Sequence, residues 1–95
     1  MTSDERLAAV KIGMGVKTTA HDDVLTQKMN AVFGVMQNAG VSDENIDSAA
    51  GIGVVCVGVT DLWNLAPGEI KFSPAFSMLL EQLVVVSIEE VDTDV

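Results

Sequence analysis

"VSDENIDSAAGIGVVCVGVTDLWN", residues 41–64, is the stretch whose reading decides the fold. On propensity alone its centre, residues 52–59, favours a strand, because β-branched residues and glycines dominate it. Two features pull toward a helix. The apolar character is continuous from "SAA" through "DLW", roughly twenty residues, whereas ordinary strands run about five or six. Gly51 and Gly58 also stand seven positions apart, on one helix face, where a neighbouring helix can approach closely. Ser42 followed by Asp43 and Glu44 supplies a helix start. The stretch is therefore expected to be helical, and the chain all-α.

The flanking segments agree. "TSDERLAAVKIGMG" opens with Thr2 and Glu5 at capping-box spacing and carries Leu7, Val10 and Met14 at helical intervals, so a first helix is expected over about residues 3–13, ended by Gly13 and Gly15. A second, stronger helix follows, with Thr19 as its cap and Asp22 and Asp23 in the first turn. Leu25, Met29, Val32 and Met36 form its apolar stripe, Val24, Phe33 and Val35 widen it, and Gly40 closes it. Ser73 followed by Pro74 marks the start of a last helix. The β-rich "LVVVSI" at residues 83–88 is expected to leave that helix as an extended arm, and "EEVDTDV" at residues 89–95 to form a mobile acidic tail.

Composition bounds the function. Ninety-five residues make one domain, expected over residues 1–88 ahead of the tail, and 48% of them are hydrophobic. Fourteen acids against five basic residues leave a net charge of −9, the wrong sign for holding phosphate. That balance argues against a conventional nucleic-acid reader or a binder of anionic membranes, while a wall that DNA slides past is compatible with it. One cysteine, Cys56, allows no disulfide within the chain. No apolar run reaches the 18 or so residues of a membrane span, and the polar, acidic start is unlike a signal peptide, so a soluble intracellular protein is expected.

Each candidate for chemistry has a simpler structural explanation. Asp43, Asn45 and Asp47 alternate like the start of a calcium loop, but Ser48 and Val54 occupy the positions that need Gly and Glu. "GIGVVCVG" follows no strand and is too apolar to cradle a phosphate. Cys56 has no neighbouring base in the sequence, and the single His21 sits beside Asp22 and Asp23. "DSA" lacks the leucine of an acyl-carrier attachment site. The carboxylates Asp61, Glu69, Glu81, Glu89 and Glu90 are scattered. No catalytic residue, cofactor or metal ligand is assigned.

The remaining signal is "DLWNLAPGEIKFSPAF", residues 61–76, which holds the only tryptophan, both prolines and two of the three phenylalanines. Packing on the bundle explains Trp63 and Phe72 as well as an interface does. "APGE" reads as a turn and "EIKF" as a short strand, together a semi-rigid loop whose ordering costs little on binding. Candidate interface residues are Trp63, Leu65, Ile70, Phe72 and Phe76 around the loop, with Val84, Val85, Val86 and Ile88 in the arm.

In this order of elements the chain resembles the small head-tail connector (adaptor) proteins of tailed bacteriophages. "DERLAAVKIGMGV" and "HDDVLTQKMNAVFGVMQNAGV" resemble their first two helices. "VGVTDLWN", "KFSPAF" and "LLEQL" resemble their third helix, protruding loop and final helix, so the likeness covers about residues 4–83. The resemblance implies a small bundle of about four helices with a protruding loop between the third and fourth. It also implies a homo-oligomeric ring, twelvefold, beneath a portal protein in the virion neck, built after synthesis in the bacterial cytoplasm. Such a ring extends the DNA channel without specific DNA binding and docks a tail-completion or stopper protein. It has no catalytic function. The high apolar fraction suits an obligate interface, and the acids after "LVVVSI" suit gatekeepers of an aggregation-prone window. Two departures stand out: the extended "VVVSI", and few positive residues for the portal side. The competing reading is an acidic regulatory or inhibitor module that mimics DNA charge.

Overall fold

A computed structural model of the chain describes residues 1–63, 65 and 71–93, with side chains through residue 88. The described residues form five helices and no strand: α1 (Ser3–Met14), α2 (Asp22–Ala39), α3 (Asp43–Ile46), α4 (Ala49–Trp63) and α5 (Pro74–Thr93). The all-α expectation holds. The loop's "APGE" turn and Ile70 lie outside the described residues.

Local chemistry places the boundaries. At α1, Thr2 Oγ1 accepts from Glu5 N at 3.2 Å and Glu5 Oε1 accepts from Thr2 N at 3.0 Å, the expected capping box. Gly15 ends the helix at φ 72°, and the next residue's N–H reaches back to Lys11 O. The start of α2 departs from expectation. His21, not Thr19, occupies the N-cap and makes no side-chain cap bond, while Thr19 contributes its carbonyl to Asp22 N. Val24, expected on the buried stripe, is exposed, whereas Leu25, Met29, Val32, Phe33 and Met36 are buried.

The long helix expected across residues 41–64 is broken once. Ser42 Oγ caps α3 by accepting from Asn45 N, and Ser48 Oγ accepts from Gly51 N while donating to Asn45 O. Two serine caps six residues apart turn one helix into two. Gly51 marks the corner: a Cβ there would run into the carbonyls of Asn45 and Ile46. The glycine face of α4 is real, but its two glycines meet different neighbours, Gly51 the α3 backbone and Gly58 the side chains of Val32 and Phe76.

At α5, Ser73 Oγ accepts from Phe76 N, and Asp61 Oδ2 accepts from both Ser73 N and Ser73 Oγ at 3.0 and 2.8 Å. The cap is thereby fastened to the end of α4. The extended arm is corrected: residues 83–88 continue the helix, which runs on through Thr93. The helix propensities of Val and Ile fall below that of alanine by only about half a kcal/mol each. Burial of Leu83 and of Ser87, which accepts from Ser42 N and Asn45 Nδ2 at 3.2 and 2.8 Å, outweighs that.

The core is aliphatic, led by Val10, Leu25, Met29, Val32, Met36, Val55 and Val59, with Phe76 its largest fully buried side chain. α4 packs against all four other helices, with α1 and α2 as its main partners. The two ends of the molecule differ. At one end the start of α1 meets α3, through Arg6 Nε and Asp47 Oδ1 at 2.6 Å, and the second half of α5 meets α3 through Ser87. At the other end Lys11 bonds Asp22 at 2.8 Å, and Lys28 Nζ donates to Leu62 O at 3.0 Å.

Candidate interaction surfaces

The proposed interface residues separate by burial. Phe76 lies in the core, 1% exposed, with its ring stacked on Phe72 at 4.2 Å between centroids. Phe72, Leu65 and Val84 are half-buried against the same core. The chain thus uses much of its aromatic loop internally, and Phe76, one of the candidate interface residues, is buried in the core of the single chain. Its i, i+4 spacing to Leu80 and i, i+7 spacing to Leu83 carried that information in the sequence.

Val85, Val86 and Ile88 are exposed, at 52, 42 and 55%. Met78, which the sequence reading passed over, joins them at 62% and lies seven residues before Val85. At helical spacing, Met78, Val85 and Ile88 point away from the direction taken by Phe76, Leu83 and Ser87. A surface helix normally presents charge there. Between α4 and α5 a groove of about 390 Å³ continues this apolar surface, with Gly53 in its floor and Leu79 and Val86 in its wall.

Trp63 is 38% exposed at the end of α4. Its ring stands edge-on to His21, centroids 5.7 Å apart and planes at 82°. Beneath the pair lies a cavity of about 270 Å³ lined by Met14, Val16, His21, Leu25, Thr60 and Trp63. No sequence signal joined His21 to Trp63, which are 42 positions apart. The tertiary packing of α2 on α4 brings them together.

The residues weighed for chemistry are engaged elsewhere. Asp47 receives both Arg6, at 2.6 and 3.0 Å, and the terminal amine of Met1 at 3.2 Å. The Arg6 hydrogen bond, with the amine, holds its carboxyl below the usual range, and the same bond raises the guanidinium. Asn45 is turned inward to Ser87. Cys56 Sγ donates to Val10 O at 3.7 Å, and burial pushes its thiol up, away from the thiolate that a nucleophile needs. Among the described residues no group of three His, Cys, Asp or Glu side chains is placed to hold a metal, and no helix is long and apolar enough to cross a membrane.

What the surface offers is apolar contact: a helix face, a groove and an aromatic-rimmed pocket. Comparison with family models, with curated proteins and with solved structures finds no match to this chain.

Proposed function

We propose that this chain is a structural ring subunit, a head-tail connector of the tailed-bacteriophage type. In that role it sits below a portal protein, lengthens the DNA channel and docks a tail-completion or stopper protein in the virion neck. The observation that carries the reading is the outer face of α5, where Met78, Val85 and Ile88 are each more than half exposed. Contiguous exposed apolar surface on a small domain marks an interaction site. An assembly that buries this face accounts for an apolar helix that the bundle itself covers on one side only.

Charge supports the same role. Arg6 and Lys11 pair internally with Asp47 and Asp22, which leaves an acidic exterior of net charge −9. Such a surface repels phosphate and suits a channel wall that must release its DNA.

The test is assembly. Sedimentation velocity and negative-stain imaging of the purified chain, over a wide concentration range, are expected to show closed rings. A chain that stays monomeric throughout, and that displaces DNA from a DNA-binding protein, would instead be the acidic inhibitor module.

A further inference from the structure

We infer that Met78 is a reversible oxidation site, whose sulfoxide, formed on the free subunit, closes the outer face of α5 to assembly. This inference rests on the ring reading above and supplies a regulation for the same face. The five methionines of the chain divide sharply by position. Met29 and Met36 are wholly buried, and Met14 is half-buried against the core. Met78 is 62% exposed, the most open large hydrophobic side chain on the described part of α5. Met1 is exposed as well, but it belongs to the chain terminus, whose amine bonds Asp47.

The thioether is the readily oxidised group on this face. Val85, Val86 and Ile88 carry saturated hydrocarbon, and the described side chains of α5 include one charge, that of Glu81. A peroxide that reaches the sulfur is attacked at one oxygen by a sulfur lone pair. The O–O bond breaks, an S=O bond forms, the sulfur gives up an electron pair, and hydrogen peroxide is reduced to water. The product replaces a flexible apolar side chain with a polar, chiral one. Methionine sulfoxide reductases, one for each sulfur epimer, reverse the change. Cys56, the other sulfur that a peroxide could reach, is turned to Val10 O, and burial pushes its thiol away from the reactive thiolate.

The position of Met78 gives the change its effect. It lies seven residues before Val85 on the outward side of α5, where the side chains offer a neighbour apolar contact. A sulfoxide buried in that contact would lose its water and find no hydrogen-bond donor on the flanking valines and isoleucine. The fold itself is expected to stand, because the altered group faces solvent in the single chain. In an assembled ring the same side chain is covered. Oxidation therefore acts on the subunit before it assembles, and finished rings are protected.

The experiment treats the full chain with graded hydrogen peroxide, locates added oxygen by peptide mass spectrometry and follows self-association by sedimentation velocity. Met78 is expected to be modified while Met29 and Met36 remain thioethers, and association to weaken about tenfold or more. Both sulfoxide reductases together are expected to restore it, with circular dichroism unchanged throughout. Met78→Leu keeps apolar bulk without sulfur, and is expected to associate like the parent and to be indifferent to peroxide. Met78→Ile replaces it should the leucine variant fold or associate poorly. Peroxide that weakens the variant as much as the parent would move the effect to Met1, Met14 or Cys56 and overturn the inference. A Met78 sulfoxide that assembles like the parent would overturn it too, as would equal oxidation of Met78 in rings and in dilute subunits. Each of these leaves the ring itself standing. A parent chain that never associates overturns the ring reading and this inference with it.

Discussion

Gly58 lies under the ring of Phe76: a Cβ at position 58 would stand 2.7 Å from Phe76 Cε2 and 2.9 Å from Val32 Cγ1. Helices α2, α4 and α5 converge at this point, and the missing side chain sets how closely they do so. A Cβ at Gly53, also on α4, would meet nothing within 4 Å.

These two glycines are expected to respond oppositely to alanine. Gly58→Ala overpacks a tight contact, which costs roughly 1–3 kcal/mol and exceeds the helix-propensity gain of about 1 kcal/mol at the upper end of that range. Gly53→Ala is expected to stabilise by roughly 0.5–1 kcal/mol. In a domain this small each kcal/mol moves the melting temperature by about 4–8 °C, so thermal melts resolve the pair. A Gly58→Ala chain melting above the parent would contradict the packing described.

Asp47 ties α1 to the α3–α4 corner, and its carboxyl is held below the ordinary value chiefly by the Arg6 hydrogen bond. A depressed carboxylate contributes stability that is present above its unfolded pKa and is lost as the pH falls through its folded pKa. Asp47→Asn is therefore expected to cost about 1–2 kcal/mol near neutrality. The gap between variant and parent should close as the pH drops below about 4. Urea titrations across that window check it; a gap independent of pH would mean the ion pair contributes nothing.

Ser87 is a buried acceptor, 6% exposed, for two donors on the α3 turn, Ser42 N and Asn45 Nδ2. Ser87→Ala leaves these donors without that oxygen, and the expected loss is roughly 1–3 kcal/mol. Chemical denaturation measures it, and a variant as stable as the parent would show that water replaces the hydroxyl.

The outer face of α5 is expected to separate folding from assembly. Met78→Gln and Val85→Gln alter side chains that are 62 and 52% exposed, so stability should stay within about 0.5 kcal/mol of the parent. Self-association, followed by light scattering against concentration, should weaken in both. Loss of the fold instead would show that this face belongs to the monomer's own core.

The helices and most core positions were legible because each rests on short-range chemistry. The Thr2–Glu5 capping box, the Ser73–Pro74 start and the stripe from Leu25 to Met36 are all fixed within a few turns. What escaped were matters of tertiary choice. The β-branched residues 83–88 favour extension locally, and the contacts of Leu83, Val84 and Ser87 with the bundle hold them in α5. Val24 and Val35 fit a helical stripe equally well on periodicity, yet one is exposed and the other half-buried. The pairing of His21 with Trp63 depends on how α2 lies across α4, which neither segment specifies alone.

α4 is the helix on which each of the others packs most extensively. α1, α2 and α3 close around α4 from one side, while α5 leans mainly on α4, touches α2 at a few places and holds the α3 turn through Ser87. Peeling α5 away would uncover the Gly58 notch and the Phe76 socket while the other four helices kept their mutual contacts. The helix that carries the outward apolar face thus rests on one layer of neighbours, with the Ser73 and Ser87 hydrogen bonds fastening its start and its second half.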